Sequence, residues 1–183
     1  MKSVQLWLFK KNKNISEASI FKLLIWEMFS ILAFQNRLSI SYFLKTFILR
    51  IFGARVGKGV VIKQGVTIKY PWKLRIGDHC WIGEGAWIDN IAEVHIGNNV
   101  CISQGAYLCT GNHDWSKEEF PLTVRGINIE DGVWVGAKAL VCPGINLKTH
   151  SVLTAGSVAT SDTEAYKIYQ GNPAKPVKER EIV

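Results

Sequence analysis

The chain has no Cys-x-x-Cys pair, and none of its four cysteines, Cys80, Cys101, Cys109 and Cys142, stands at zinc-finger spacing from a histidine. That pattern argues against a small metal-binding module and fits reduced thiols in a cytoplasmic protein. No cleavable signal peptide is read at the start: residues 1–13 are polar and basic with only a short apolar patch. Nor is there an apolar run of the roughly 18 residues that a membrane span needs. Lys22, Glu27, Arg37, Lys45 and Arg50 interrupt every such stretch in residues 15–52. Acidic residues are the minority, 15 against 22 Lys and Arg, for a formal charge of +7. That balance suits nucleic acid, anionic lipid or a phosphorylated ligand, and equally a basic surface that is merely soluble.

What the chain does have is apolar content and rhythm. Residues of hydrophobic type make up 48% of it, which excludes disorder as a description of the whole. At 183 residues it makes one domain or one repeat stack with attachments. From Val56 an aliphatic residue recurs every sixth position: Val56, Ile62, Ile68, Leu74, then Ile76, Ile82, Ile88, Val94, then Ile96, Ile102, Leu108. After a gap the series resumes at Ile129, Val135, Val141, Leu147, Leu153 and Ala159. Blocks repeat with a 20-residue offset, as in Ala-Arg-Val-Gly at 54–57, Leu-Arg-Ile-Gly at 74–77 and Val-His-Ile-Gly at 94–97. Small or β-branched residues, Cys80 among them, follow four positions after most slots and read as inward packers. Glycine follows the aliphatic at Gly57, Gly77, Gly83, Gly97 and Gly136, where a corner calls for a permissive backbone. The pattern predicts short strands and tight turns, three strands per coil, stacked as a triangular prism.

Ahead of the repeat, residues 1–14 are Lys/Asn-rich and read as mobile. Residues 15–52 carry helical spacing, Leu24, Met28, Ile31 and Leu32, with Ser16 and Ser19 as start signals. Two roles are open for this segment: capping the end of the stack, or lying on a bilayer as basic amphipathic helices do.

The rhythm fails once. The aliphatic due six residues after Leu108 arrives as Ile127, so 13 residues are inserted at one corner. An irregular insertion in a strict array is the natural place for function. His113 stands at its root. Counting by 20 puts Lys73, Glu93 and His113 in one column, which makes Glu93 the candidate carboxylate to orient His113. The same count aligns Trp87 with Tyr107, and Trp81 with Cys101 and Trp134. Asp89 and Asn90 fall on the face of His113, one coil earlier. His79, His95 and His150 read as surface residues of ordinary corners.

The [Ile/Val/Leu]-Gly-x-x-small-x period resembles the hexapeptide-repeat acyltransferases, and the resemblance covers residues 54–180. It implies an all-β architecture, a left-handed parallel β-helix with an N-terminal helical segment and an inserted loop. The divisions expected are 1–53 for the tail and helical cap, 54–164 for the β-helix with its loop at 112–126, and 165–183 for a coenzyme-binding segment. Tyr107-Leu-Cys-Thr-Gly-Asn-His-Asp is similar to the catalytic-histidine segment of the sugar acetyltransferases, which implies that His113 is a general base acting on an acceptor hydroxyl. Val-Trp-Val-Gly-Ala-Lys-Ala at 133–139 and Val-Leu-Thr-Ala-Gly-Ser-Val at 152–158 resemble the coils that hold the pantetheine arm of acetyl-CoA. On that likeness Ala137 and Ala155 bind it through the main chain, with Trp134 beside it and Thr160 nearby. The C-terminal Gly-Asn-Pro-Ala-Lys-Pro-Val-Lys at 171–178 implies that Lys175 and Lys178 meet the phosphates. Several relatives carry Thr-Lys where this chain has Thr160-Ser161, so Lys167 or Lys175 is the candidate substitute for that lysine.

A further likeness, to the acetyltransferases of colanic-acid and capsule gene clusters, is carried by Phe-Gly-Ala-Arg-Val-Gly-Lys-Gly at 52–59, Trp-Ile-Asp-Asn at 87–90 and Ile-Ser-Gln-Gly-Ala-Tyr-Leu-Cys-Thr-Gly-Asn-His-Asp-Trp at 102–115. It implies a homotrimeric sugar O-acetyltransferase using acetyl-CoA, with no metal and no nucleic-acid partner. It is expected in the cytoplasm or at the inner face of the membrane. Asp89 and Asn90 are the candidate acceptor-binding residues. Two alternatives stand beside it: a non-catalytic β-helix scaffold or membrane-docked assembly subunit, and a zinc carbonic anhydrase on the same fold. The latter needs three converging histidines, which this spacing does not provide.

Overall fold

The computed structural model describes residues 3–10, 15–35 and 40–183. Arg37 and part of the tail expected to be mobile lie outside these residues. From Arg55 the chain winds into a parallel β-helix whose three faces are ladders of two- and three-residue strands. Face 1 holds Arg55–Val56, Leu74–Ile76, Val94–Ile96, Ile127–Ile129 and Asn146–Leu147. Face 2 begins with Val61–Ile62, Trp81–Ile82, Cys101–Ile102, Trp134–Val135 and Val152–Leu153. An antiparallel hairpin, Lys167–Gly171 with Ala174–Glu179, extends it. Face 3 holds Thr67–Ile68, Trp87–Asp89, Tyr107–Cys109, Leu140–Val141 and Val158–Ala159.

The six-residue series is the core. Every one of its slots is buried except Val56, which is half-buried. Short parallel strands can bury a continuous file of aliphatics this way because each coil covers the one below it. The 20-residue offset is the ladder register itself, Val61 on Trp81 on Cys101, until Cys101 meets Trp134 across the insertion. Cys80 is fully buried, and burial pushes its thiol pKa up, as for an inert packer.

The glycines after the aliphatics have a different cause from the one expected. None of those five has a positive φ. They are required because successive coils touch: a Cβ on Gly136 would stand 2.5 Å from the Ala155 nitrogen. Left-handed glycines are a separate set, such as Gly85 at φ +65 with open space around it.

The corner between faces 1 and 2 is stitched by side chains. Asp78, Asn98 and Asp131 each accept the backbone N–H one coil below, from Lys58 (2.9 Å), Asp78 (2.8 Å) and Asn98 (2.7 Å). The N–H and side-chain amide of Asn98 hold the Asp131 carboxyl below its ordinary value of 3.8. A depressed carboxyl contributes stability above its unfolded pKa and loses it as pH falls through the folded one. Asp131→Asn keeps the acceptor, as Asn98 shows, but cannot titrate. Its thermal stability should therefore change less than the parent's when pH falls below 3.8, as followed by circular dichroism.

Two helices close the first coil, α1 (Ile20–Ser30) and α2 (Tyr42–Ile51). Ser19, not Ser16, is the N-cap, accepting from the Lys22 N–H at 3.3 Å. The Trp26 indole donates to the Ile68 carbonyl, and the buried Lys45 ammonium donates to the carbonyls of Ile62 and Lys63. Open-end carbonyls of a β-helix have no next coil, so these donors take its place. No described helix is long and apolar enough to cross a membrane.

Candidate active site

The chain leaves the coil at Thr110. This residue is fully buried, its hydroxyl donating to the Asp89 carbonyl at 2.7 Å and accepting from Ala92 N–H at 3.0 Å. Gly111–His113 then pairs antiparallel with Leu122–Val124, and the Arg125 N–H returns to the Thr110 carbonyl at 2.9 Å. The insertion is thus a β-hairpin rising from the corner between faces 3 and 1, with His113 opposite Leu122.

His113 is half-buried and held on three sides. Its Nδ1 is 2.8 Å from the Phe120 carbonyl oxygen, which can only accept. In the neutral ring the proton therefore sits on Nδ1, and Nε2 presents a lone pair. The Phe120 ring stacks on the imidazole at 4.3 Å and 8°, and Phe9 packs against it at 5.6 Å. Phe120 has φ 49, a left-handed backbone that a bulky residue adopts only where its surroundings enforce it. Here that conformation accompanies a carbonyl aimed at the histidine. Phe9 arrives because Gln5 is bonded to the hairpin, its N–H to the Glu118 carbonyl at 2.9 Å and its side-chain amide to the Glu118 carboxylate at 2.6 Å. Gln5 and Phe9, in the stretch expected to be mobile, contact the insertion instead.

Glu93 does not orient His113. Its carboxylate lies 2.8 Å from His95 Nε2 and 3.9 Å from Arg75, and the His95 bond holds its pKa down. The column fails because Leu74, Val94 and Ile127 share a ladder, which puts Gly126 beside Glu93 while position 113 is out on the hairpin. Lys73 of the same column is buried, donating to the carbonyls of Ile15 and Ile91 and pairing with Glu17 at 2.8 Å. A second correction concerns Asn90. It is fully buried, its Oδ1 accepting from the N–H groups of Lys69 and Tyr70 and its Nδ2 donating to the Tyr70 carbonyl. It holds the corner of the coil, and its burial leaves no exposed group to offer an acceptor.

Asp89 is placed differently. It borders a cavity of about 490 Å³ between α1 and face 3, whose lining includes Trp26, Glu27, Lys69 and Trp87. Its Oδ1 lies 3.0 Å from the Lys69 ammonium, and its Oδ2 accepts from the Tyr107 hydroxyl at 3.2 Å. The Oδ1 contact is an ion pair outside hydrogen-bond geometry, and this buried oxygen has no hydrogen-bond donor among the described residues. Tyr107 stacks on Trp87 at 4.5 Å, and burial, with the Cys109 thiol and Asp89 beside it, keeps its phenol protonated. An aromatic plane next to a carboxylate suits a sugar, with one side for C–H faces and one for hydroxyls.

The residues expected to meet the coenzyme lie elsewhere on the prism. Trp134 is half-exposed on face 2, its indole donating to the Ser103 hydroxyl at 2.9 Å beside a cavity of about 420 Å³. Ala137 and Ala155 stack at the corner between faces 2 and 3, where the Gly156 N–H reaches the Ala137 carbonyl. Neither the Ala137 nor the Ala155 N–H has a partner among the described residues, unlike the stitched corner. Lys178 shares a ladder row with Trp134 through Val152 and Ile168. Lys175 and Lys178 are exposed and outside every ion pair found among the described residues, whereas Lys167 is paired with Glu164 at 2.7 Å. Thr160 is exposed at the end of the last coil. In one chain, then, His113 and the coenzyme candidates occupy different corners. Among the described residues no group of three or more His, Cys, Asp or Glu could hold a metal ion.

Residues 73–109 and 126–161 match the hexapeptide repeat of succinyl-transferases, and the break between them is the hairpin. Over 172 residues the chain is 34% identical to "Putative colanic acid biosynthesis acetyltransferase WcaF" of Escherichia coli, covering 94% of each sequence. The chain belongs to the hexapeptide-repeat acetyltransferases. Solved structures share its fold. A maltose O-acetyltransferase from Clostridium difficile superposes with TM-score 0.82 at 22% identity, over 95% of this chain and 92% of that one. The acetyltransferase VCA0836 of Vibrio cholerae, in its acetyl coenzyme A complex, superposes with TM-score 0.78 at 20% identity, over 93% and 89%. This hexapeptide-repeat acetyltransferase thus carries His113 on an insertion between two matched blocks of coils. Phe9 and Phe120 were missed by sequence reasoning. The one available signal was aromatic residues at the ends of two polar stretches.

Proposed function

We propose that the protein is an O-acetyltransferase that moves acetyl from acetyl-CoA to a hydroxyl of a sugar or surface-polysaccharide precursor, with His113 as general base. The observation that carries this reading is the Phe120 carbonyl on His113 Nδ1, which leaves Nε2 as the proton acceptor. In the reaction Nε2 takes the acceptor's hydroxyl proton as that oxygen attacks the thioester carbon. The C–S bond then breaks and the imidazolium returns the proton to the departing thiolate, so charge balances and the base is regenerated. The imidazolium that forms keeps its Nδ1–H on Phe120 throughout.

The acceptor is assigned to the Asp89–Trp87 cavity and the pantetheine arm to the free N–H groups of Ala137 and Ala155. Trp134 and Thr160 flank that arm, and Lys175 and Lys178 meet the phosphates. A relative's acetyl coenzyme A complex supports the choice of donor. Because His113 and this coenzyme track occupy different corners, the reading requires a neighbouring subunit to supply one of them. A homotrimer of parallel prisms satisfies that. Purified protein incubated with acetyl-CoA and sugar acceptors should release free CoA. Lys175→Ala with Lys178→Ala should raise KM for acetyl-CoA about five- to thirtyfold, the loss of one or two charge-assisted contacts, while kcat holds. An unchanged KM rules out phosphate binding by this strand.

A further inference from the structure

The geometry points to a peripheral membrane-docking face: α1 and α2 seat the protein on an anionic lipid bilayer at the first-coil end of the prism. The two helices carry apolar side chains outward as well as inward. On α2 the side facing the protein holds Lys45 and Thr46 along with Ile48 and Leu49, and Lys45 is only 1% exposed. Phe43, Phe47 and Ile51, at i, i+4 and i+8, point outward, 76%, 49% and 65% exposed. On α1 Trp26 and Ser30 turn inward, while Phe21, Leu24 and Met28 turn out. An apolar stripe usually faces a helix's own core. Here the open-end carbonyls claim the Lys45 and Trp26 donors, which fixes how the helices rotate and forces the apolar stripe outward. A contiguous exposed patch of this kind marks an interaction surface.

Charge identifies the occupant. Residues 1–73 carry thirteen Lys and Arg, of which Lys45 and Lys73 are buried, against two acidic residues, whereas residues 74–183 carry nine against thirteen. Arg55, Lys58 and Lys63 are exposed on the first coil, next to the helices that cap it. Two copies meeting through this end would press cation against cation. A bilayer with acidic headgroups satisfies both features, burying the aromatics at the acyl boundary and pairing the cations with phosphate. No described helix is long enough to cross, so the helices lie in the interface. The face adjoins the Asp89 cavity, since Leu24 borders both.

Co-sedimentation of the full chain with vesicles tests this. The protein should pellet with phosphatidylcholine vesicles containing about 30 mol% phosphatidylglycerol and stay in solution with phosphatidylcholine alone. Binding should weaken as salt shortens the Debye length from about 8 Å toward 3 Å. The combined substitution Phe21→Ser, Phe43→Ser and Phe47→Ser should lower partitioning at least about tenfold. These side chains are outward, so circular dichroism and acetyl-CoA binding should match the parent. Lys58→Glu with Lys63→Glu should weaken binding to the anionic vesicles. Absence of binding to anionic vesicles overturns the proposal, as does a triple variant that binds like the parent. Assemblies in lipid-free solution that the triple variant dissolves, with no vesicle binding, would make the face a contact between copies instead.

Discussion

Replacing His113 by Ala is expected to lower acetyl transfer by about two to four decades, the usual contribution of a positioned general base. The size follows from the geometry. A base must offer a lone pair in a fixed direction, and His113 is fixed by a 2.8 Å bond to the Phe120 carbonyl and by rings on two sides. The residue stands on a hairpin outside the aliphatic file, so its loss should leave the β-helix folded, with an unchanged melting temperature and native oligomeric mass. His113→Gln is the sharper comparison, since it retains a polar group on the hairpin but cannot carry the proton. Glu93→Gln is the control within the same experiment. Because Glu93 is bonded to His95, its kcat and pH–rate profile should match the parent's. A histidine variant with full turnover would remove His113 from the mechanism. A shifted profile in the glutamate variant would restore the link that the ladder register breaks.

The second large effect is on stability. Gly136→Ala should cost about 1–3 kcal/mol, the range for forcing an added methyl into close packing, which lowers Tm by about 2–12 °C for a domain of this size. The three atoms nearest the added Cβ would all be backbone: the Ala155 nitrogen at 2.5 Å, the Thr154 carbonyl carbon at 2.7 Å and the Leu153 oxygen at 2.8 Å. No side chain can swing aside there, so the coils must separate. That loosens the bond from the Gly136 N–H to the Leu153 carbonyl, now 2.7 Å. Gly85→Ala is the counterpart. It has open space but φ +65, so its cost should be only about 1–2 kcal/mol for a left-handed non-glycine. The Gly136 change also spreads the coils at Ala137 and Ala155, so KM for acetyl-CoA should rise there and not at Gly85. Equal melting temperatures for parent and Gly136→Ala, by calorimetry, would show that the coils have slack.

Which side chains came together on the hairpin depended on where the backbone stopped repeating. Counting by 20 aligned Trp81 with Cys101 and Trp87 with Tyr107, because those strands do stack. The same count put Glu93 under His113 and was wrong, since the chain leaves the coil after Cys109 and Gly126 takes that position. Phe9 was out of reach for another reason. Its contact with His113 spans more than a hundred residues and rests on Gln5 bonding Glu118, a pairing with no periodic signature.

By itself the sequence determined the prism, its core, the length of the insertion and the corner from which it springs. A six-residue period admits one way to bury its aliphatics, and any extra residues must leave at a turn. Tertiary structure alone decided which groups hold His113, that Asn90 serves the coil, and that the apolar stripes of α1 and α2 face outward. Each of those turns on carbonyls and donors that seek partners across the fold, and hydrogen bonding between distant residues leaves no period to read.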